Sequence, residues 1–258
     1  MSDPALSTPP ADLFSVAGKT VVVTGGTRGI GHMIAAGFVA AGATVIVASR
    51  KAHAVQATVA ELSDFGACSG FAADLSSEEG ARQLADAVSA HHGRVDVLVN
   101  NAGMSLPYGD LGEVTEAMWD KVVGLNLKGP FRLTALVGPR MVEDGGGSII
   151  NVSSTGSIRP APFMLPYDAA KAGLNALTVG FAHAYGPTVR ANCIMAGPFF
   201  TDVTKEWDLE SFEREVQLRH ALQRGGRPDE IVGTALYFAS NASSYTTGAV
   251  LRVDGGIP

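Results

Sequence analysis

A tyrosine and a lysine four residues apart are the side chains of this sequence whose types and spacing are best suited to chemistry. Tyr167 and Lys171 stand in the run PYDAAK, and on a helix that spacing places both side chains on one face. A nearby ammonium favours the phenolate and lowers the pKa of a phenol from about 10. A tyrosine tuned in this way can pass a proton to or from a substrate oxygen. Taken alone, the pair is more typical of an ordinary helix surface, so the other motifs decide.

The segments that must position this pair alternate between short β-branched runs and longer helical runs. Strands are predicted at 19–24, 44–48, 68–73, 95–99, 148–152, 189–194 and 249–253. Helices are predicted at 29–41, 52–65, 77–91, 115–137, 203–222 and 229–240, together with one that carries Tyr167 and ends near 185. Strict alternation predicts an α/β fold, a doubly wound parallel sheet of the Rossmann type in three α/β/α layers. We expect a single domain over 17–258 and a flexible arm over 1–16.

A glycine-rich turn follows the first predicted strand. The sequence TGGTRGIG covers residues 24–31 and leads directly into a helix. Gly25, Gly29 and Gly31 allow a tight turn and close backbone approach, so the helix N-terminus can face an anion such as pyrophosphate. A glycine-rich turn alone is weak evidence, and the strand before it and the helix after it favour a dinucleotide site.

The end of the second strand indicates which dinucleotide would bind. Folds that hold NAD place an acid there, on the ribose 2′-hydroxyl. This chain has Ser49 and Arg50 instead, which suit a 2′-phosphate, and Arg28 adds positive charge from the glycine-rich turn. The alternative interpretation is a solvated basic turn. NADP(H) is therefore favoured, with NAD(H) as the alternative.

Composition excludes several other classes of function. The 258 residues carry a net charge of −6, with 46% hydrophobic and 17% charged residues and no basic stripe, which argues against nucleic acid as a partner. No apolar run has transmembrane length and the first residues lack a signal-peptide pattern, so we expect a cytoplasmic protein without membrane association. Cys68 and Cys193 are expected to be buried, unpaired thiols. The pair His91-His92 lacks a third ligand, so no metal is expected.

Several motifs in order resemble those of the short-chain dehydrogenase/reductases, in their single-domain branch, over about residues 19–256. TGGTRGIG resembles the family's TGxxxGxG loop, NNAG at 100–103 its NNAG motif, and VDGG at 253–256 its closing strand. Ser154 lies thirteen positions before Tyr167, as in the family, and Tyr167 and Lys171 form its YxxxK. Asn126 matches the asparagine that anchors a water in the family's proton relay, and the alternative interpretation is a structural asparagine within a helix.

The resemblance implies roles for these residues. Tyr167 would exchange a proton with substrate, Ser154 would donate a hydrogen bond to the same oxygen, Lys171 would lower the Tyr167 pKa and bind the nicotinamide ribose, and Asn126 would anchor a water in the proton relay. The adjacent Ser153 is an alternative to Ser154 that only the spacing to Tyr167 disfavours.

The resemblance also implies a set of cofactor-binding residues. They are Gly25, Thr27, Arg28, Gly29, Ile30, Gly31, Ser49, Arg50, Asp74, Leu75, Asn101, Ala102, Gly103, Tyr167, Lys171, Gly197, Phe199 and Thr201.

One motif departs from the family pattern. The family usually has Pro-Gly after the sixth strand, whereas this chain has Gly197 followed by Pro198. We therefore expect a differently shaped loop on the nicotinamide side. Thr201 should still reach the carboxamide, and Phe199 is expected to pack on the nicotinamide ring.

The resulting functional hypothesis is an NAD(P)-dependent oxidoreductase acting on CH–OH donors or the matching carbonyls. The substrate site is expected at 104–108, 157–165 and 199–207, with 203–222 as a lid. Its mostly apolar residues favour a ketone, a 3-ketoacyl group or a sugar-type compound. A non-catalytic dinucleotide sensor or scaffold, and an epimerase or dehydratase of the same superfamily, are the alternatives. The resemblance also implies a homo-oligomer, a tetramer or dimer, formed through the long helices.

Overall fold

Seven strands and eight α-helices form the body of the molecule in the computed structural model, which describes residue 9, residues 12–201 and residues 209–258. The strands are β1 (Thr20–Thr24), β2 (Thr44–Ser49), β3 (Cys68–Ala72), β4 (Val97–Asn100), β5 (Gly147–Ser154), β6 (Val189–Ala196) and β7 (Val250–Val253). The helices are α1 (Gly29–Ala40), α2 (Ala52–Ser63), α3 (Glu78–His92), α4 (Glu116–Val123), α5 (Gly129–Glu143), α6 (Leu165–Tyr185), α7 (Leu209–Arg219) and α8 (Val232–Ala239).

All strands pair in parallel, in the order β3-β2-β1-β4-β5-β6-β7. The central strands are buried on both faces, which is why they read as continuous β-branched runs. Val21 and Val23 of β1 join a core with α1, α2 and α8, whereas Val22 joins a second core with α3, α5 and α6. The expected doubly wound, three-layer, single-domain architecture is confirmed.

The strand order reverses direction beside β1, and that reversal places the site. The chain moves from β1 to β2 and β3 on one side and then crosses to β4 on the other. At such a switch point the loops after neighbouring strands separate and leave a crevice at the carboxyl ends of the strands. The glycine-rich turn follows β1 and the NNAG run follows β4, so both border this crevice.

The region predicted as helical from 115 to 137 contains an irregular turn. A five-residue π-helical turn, Gly124–Lys128, separates α4 from α5 and contains Asn126. Turns of this type are rare and occur frequently at functional sites because they redirect a side chain out of the regular helical row. Of the predicted helix over 203–222, residues 202–208 lie outside the described residues, and the described part is α7.

Three expectations away from the site have different outcomes. The expected flexible arm over 1–16 is too long, because Val16 is 1% exposed in the core and the amide of Ala242 donates to the carbonyl of Leu13 at 2.9 Å. Cys193 is buried and unpaired as expected, but the unpaired Cys68 is only partly buried, because β3 is the edge strand. Within the described ranges, no helix has both the length and the apolarity needed to span a bilayer.

Candidate active site

Ser154 and Tyr167 meet at the carboxyl end of the central strands. Ser154 is the last residue of β5, and Tyr167 lies in the first turn of α6. The Ser154 hydroxyl lies close enough to Tyr167 to lower the pKa of the phenol. The Ser154 oxygen also accepts the amide of Gly156 at 3.1 Å, which holds the hydroxyl in place. The structure thus brings together the serine and tyrosine that sequence spacing had paired.

The rival serine has a different role. Ser153 is 3% exposed, and its hydroxyl donates to the carbonyl of Lys171 at 3.1 Å. Because successive residues of a strand point to opposite faces, only one of the two serines can face Tyr167. Ser153 therefore fastens β5 to α6, and Ser154 is the residue at the site.

Lys171 lies one helical turn after Tyr167 and is 4% exposed. Its ammonium donates to the carbonyl of Val152 at 2.7 Å and lies 5.7 Å from the centroid of the Tyr167 ring. Burial lowers the pKa of Lys171 to about 8, and the nearby Cys193 opposes that shift. A buried ammonium with a depressed pKa is typical of lysines placed for function.

The expected direction of the Tyr167 pKa shift was wrong. Burial raises the pKa of Tyr167 above its ordinary value, the hydrogen bond from Ser154 lowers it, and the charge of Asp168 raises it. The physical reason is that a partly buried phenolate loses hydration, while the Lys171 ammonium is directed to the Val152 carbonyl and lies over the ring. The phenol is therefore held in its protonated form at neutral pH.

Asn126 connects the π-helical turn to the loop after β4. Its side chain is 0% exposed, and Nδ2 donates to the carbonyls of Met104 at 2.7 Å and Val122 at 2.8 Å. Its Oδ1 accepts the Met104 amide at 3.3 Å. A Cβ on Gly103 would lie 2.7 Å from that oxygen and 3.4 Å from Nζ of Lys171, so Gly103 fits between the two side chains. The carboxamide thus holds the loop at 103–104 beside Lys171, and water anchoring by Asn126 stays a prediction.

The glycine-rich turn packs directly on the loop after β4. Gly25 has a φ of 66°, and a Cβ there would lie 2.9 Å from both Cα of Ala102 and Nδ2 of Asn101. Asn101 Nδ2 donates to the carbonyl of Thr24 at 2.9 Å and to that of Gly25 at 3.3 Å. A Cβ on Gly31 would overlap the same amide group. Glycine is therefore required for this close approach, which leaves the N-terminus of α1 open to an anion.

The remaining predicted cofactor residues line the same edge of the sheet. Ser49 ends β2 and the exposed Arg50 follows it, and Arg28 and Asp74 are also exposed. Asp74 accepts the Ser76 hydroxyl at 2.7 Å, which shapes the turn after β3.

Thr201 lies across the crevice, with its side chain 3.5 Å from the position of a Cβ on Gly29. Thr27 and Ile30 are partly exposed in the glycine-rich turn, Leu75 is buried, and Ala102 and Gly197 border the crevice floor.

The loop after β6 corrects one expectation. Phe199 is 6% exposed and packs in the core, with its ring 2.6 Å from the position of a Cβ on Gly226. Its side chain therefore does not lie free to stack on a nicotinamide ring as expected. Gly226 donates to the carbonyl of Pro198 at 3.0 Å and accepts the amide of Phe200 at 2.8 Å, so the displaced proline belongs to a short β-like pairing.

Two loops of the expected substrate site are joined through Tyr108. Its hydroxyl accepts the amide of Leu165 at 3.2 Å, and its amide donates to the carbonyl of Phe163 at 3.2 Å. Ile158 and Phe163 are each 49% exposed and present apolar surface. The expected contribution of Trp207 lies outside the described residues.

Sequence reasoning missed two residues of α6 that contact the loop after β5. Asp168 accepts the amide of Ala161 at 2.7 Å, and Asn175 donates to the Ser157 hydroxyl at 2.9 Å. A usable signal existed, because residues 168, 171 and 175 share a helix face with the buried Leu174 and Thr178. A carboxylate on such a buried face requires a partner.

The structure has the fold of a dinucleotide-binding oxidoreductase. Its defining features are the parallel sheet, the glycine-rich turn of Gly25 and Gly31 at the switch point, and the group of Ser154, Tyr167 and Lys171. A family model described as "Enoyl-(Acyl carrier protein) reductase" matches residues 25–258. The chain belongs to the short-chain dehydrogenase/reductase family, whose members carry out NAD(P)-dependent oxidoreduction.

Relatives align along nearly the whole chain. The human protein "Dehydrogenase/reductase SDR family member 4" is 34% identical over 247 residues, which cover 94% of this chain and 88% of that protein. The "Pseudomonas aeruginosa RhlG/NADP active-site complex" has a TM-score of 0.89 and 36% identity, and the match covers 95% of this chain and 98% of that one. A 3-oxoacyl (acyl-carrier-protein) reductase from Agrobacterium tumefaciens C58 with NADP bound has a TM-score of 0.91 and 30% identity, covering 98% and 99%.

Proposed function

We propose that this protein is an NADP(H)-preferring reductase or dehydrogenase that interconverts a carbonyl group and a secondary alcohol, with Tyr167 as the proton donor and acceptor. The observation that carries the proposal is the grouping of the Ser154 hydroxyl beside Tyr167, with the Lys171 ammonium 5.7 Å from the centroid of the tyrosine ring. A nucleotide-binding sensor would have no use for a proton donor placed in this way.

The residues present fit a nicotinamide dinucleotide. The cradle of Gly25 and Gly31 would be filled by any Cβ, and the first turn of α1 contains no acid that would repel a pyrophosphate. Arg50 and Arg28 are exposed where a 2′-phosphate would lie, and Ser49 stands where an NAD-specific site has an acid. When bound, the cofactor supplies or accepts the hydride.

The side chains of this chain would manage the proton and the developing charge. In the reductive direction, the Tyr167 hydroxyl gives its proton to the substrate oxygen, for which a raised pKa keeps the proton available at neutral pH. Ser154 donates a hydrogen bond to the same oxygen and stabilises the charge that develops there. The Lys171 ammonium lies over the tyrosine ring, and Asn126 holds the loop beside it.

Apolar surface at the mouth of the site favours a neutral substrate. Ile158 and Phe163 are half-exposed beside the hydrogen bonds by which Tyr108 joins the two loops. The loop that carries them lies at the carboxyl edge of the sheet. A ketone, a 3-ketoacyl group or a weakly polar sugar derivative would bury apolar atoms there. The related 3-oxoacyl (acyl-carrier-protein) reductase from Agrobacterium tumefaciens agrees with this range.

A panel of ketones, 3-ketoacyl thioesters and sugars, assayed with NADPH and with NADH, tests the proposal. We expect oxidation of NADPH with at least one apolar carbonyl compound, and slower oxidation of NADH. Tight binding of NADPH without turnover of any member would instead support the sensor hypothesis.

We also propose that the protein forms a homo-oligomer through α5 and α6. Phe131 on α5 and Val179 on α6 are 50% and 44% exposed, which leaves apolar surface on both helices. Light scattering should give the mass of a dimer or a tetramer, and Phe131→Glu should reduce it.

A further inference from the structure

A buried carboxylate adjoins Tyr167 and has no part in the proposed proton transfer. Asp168 is 2% exposed in the first turn of α6. Its Oδ2 accepts the amide of Ala161 at 2.7 Å, whereas its Oδ1 is buried and has no hydrogen-bond partner within the described ranges. Burial raises the pKa of Asp168, and the hydrogen bond from Ala161 opposes the shift. Burying a carboxylate is unfavourable, so its presence requires a specific explanation.

The free oxygen of Asp168 is directed at the turn that carries Ser154. A Cβ on Gly156 would overlap Oδ1 of Asp168, so the carboxylate occupies the space that a side chain at 156 would need. The amide of Gly156 in turn donates to the Ser154 oxygen at 3.1 Å. Asp168 therefore packs against the glycine whose amide holds the Ser154 hydroxyl.

A second side chain of α6 holds the same segment. Asn175 Nδ2 donates to the Ser157 hydroxyl at 2.9 Å. Residues 155–161 are thus attached to α6 near both of their ends, by Asp168 at Ala161 and by Asn175 at Ser157. Because Ser154 directly precedes this segment, its place relative to Tyr167 depends on these attachments.

We propose that Asp168 is a positioning residue that fastens residues 155–161 to the helix of Tyr167 and so sets the Ser154 hydroxyl opposite the Tyr167 hydroxyl. The inference rests on the proposed function for its effect on turnover, although the attachment itself can be measured without substrate. A second consequence is electrostatic, because a negative charge one residue from Tyr167 disfavours the phenolate.

Hydrogen exchange tests the attachment directly. In Asp168→Ala the Ala161 amide loses its acceptor, so exchange at 155–161 should become about tenfold faster or more, as expected for loss of one hydrogen bond to a charged group. Asp168→Asn keeps an acceptor oxygen and should restore most of the protection. Asp64→Asn, at the exposed C-terminus of α2, removes an equal charge and should change nothing. Unchanged exchange in Asp168→Ala would overturn the inference.

Kinetics test the effect on the reacting groups. Asp168→Ala should lower kcat/KM about tenfold or more while the Kd for NADPH changes less than about twofold, and Asp168→Asn should recover most of the loss. If the wild-type protein turns over no substrate, the proposed function fails, whereas the exchange result still decides the attachment. An Asp168→Ala enzyme with wild-type kcat/KM would contradict the positioning role.

A double-mutant cycle separates positioning from general damage. Gly156→Ala places a methyl group on Asp168 Oδ1 and should lower kcat/KM strongly. Asp168→Ala removes that obstacle, so the double variant should be no worse than Asp168→Ala alone. Losses that multiply instead would mean that the two residues act independently, and would overturn the inference.

The pH profile supplies a readout that a purely structural role would leave unchanged. On α6, Tyr167 faces the charges of Asp168 and Lys171, and from β6 Cys193 interacts with Lys171. Asp168→Asn removes the charge that raises the Tyr167 pKa, so alcohol oxidation, which needs the phenolate, should reach its plateau at lower pH than in wild type. A profile that stays in place would contradict the electrostatic part of the inference.

Discussion

The ammonium nitrogen of Lys171 lies 5.7 Å from the centroid of the Tyr167 ring and 2.7 Å from the Val152 carbonyl oxygen. The cation therefore lies over the face of the aromatic ring and is anchored to β5. This arrangement accounts for two opposite effects of burial at the site. The pKa of the phenol is raised and the pKa of the amine is lowered to about 8, because burial disfavours both charged forms.

Lys171 should make stability depend on pH in a defined window. The pKa is about 8 in the folded state against 10.5 for an unperturbed lysine, so the unfolded chain binds the extra proton between these values. Stability must then rise with pH across this window, by up to about 1.4 kcal/mol per pH unit. The cost of the buried charge is fully present below about pH 8.

Urea denaturation of wild type and Lys171→Met between about pH 7 and about pH 10 measures this linkage. The wild-type protein should gain stability relative to Lys171→Met as the pH rises. A difference between the two proteins that does not change with pH would show that Lys171 titrates normally.

Gly31→Ala should abolish dinucleotide binding with only a local effect on the fold. The added methyl group would overlap the Asn101 amide and the Gly25 carbonyl, which forces the glycine-rich turn away from the loop after β4. We expect the Kd for NADPH to rise about 100-fold or more, since several backbone contacts to the phosphates would be lost together.

Gly233→Ala is the matched control, because a Cβ at this α8 position meets no atom within 4 Å. It should bind NADPH normally and be slightly more stable, by about 0.5–1 kcal/mol. Fluorescence titration with NADPH distinguishes the two variants, and normal binding by Gly31→Ala would place the phosphates elsewhere.

Arg50→Ala should weaken the binding of NADPH far more than the binding of NADH. Loss of a guanidinium from a 2′-phosphate is expected to raise the KM for NADPH about tenfold, and NADH lacks that phosphate. Arg82→Ala on the exposed face of α3 removes the same charge and should affect neither cofactor. An equal effect of Arg50→Ala on both KM values would favour the alternative interpretation, in which Arg50 belongs to a solvated basic turn.

Asn126→Ala should lower the stability of the protein as well as its rate of turnover. The substitution leaves the Met104 amide and the carbonyls of Met104 and Val122 without their side-chain partner. We expect a loss of about 2–3 kcal/mol in the free energy of unfolding, measured by urea denaturation. Asn126→Asp keeps an acceptor for the Met104 amide but turns an oxygen toward both carbonyls, so it should not recover the loss. An unchanged stability in Asn126→Ala would contradict the bonding described.

The sequence predicted the parts of the fold that depend on local pattern. Continuous β-branched runs identified the buried strands, and the glycine spacing of 25, 29 and 31 identified the cradle, because each reflects a requirement of the backbone itself. The spacing of Ser154, Tyr167 and Lys171 placed three side chains that the structure brings together.

Features that depend on tertiary packing were not predictable. The burial of Phe199 depends on Gly226, which is distant in sequence, and the π-helical turn at Asn126 has no period of its own. The raised pKa of Tyr167 depends on how much water the surrounding loops exclude. The role of Asp168 depends on its packing against Gly156 and its hydrogen bond to Ala161, both of which lie in the loop after β5.

Comparison of Tyr167→Phe with the wild-type protein tests the central claim most directly. The variant keeps the ring beneath Lys171 and removes only the hydroxyl whose pKa the neighbouring Ser154 lowers. With a substrate found in the carbonyl panel, we predict that kcat falls about 100- to 10,000-fold, the range for general acid–base groups, while the Kd for NADPH is unchanged. Turnover at the wild-type rate with normal NADPH binding would show that Tyr167 is not the proton donor.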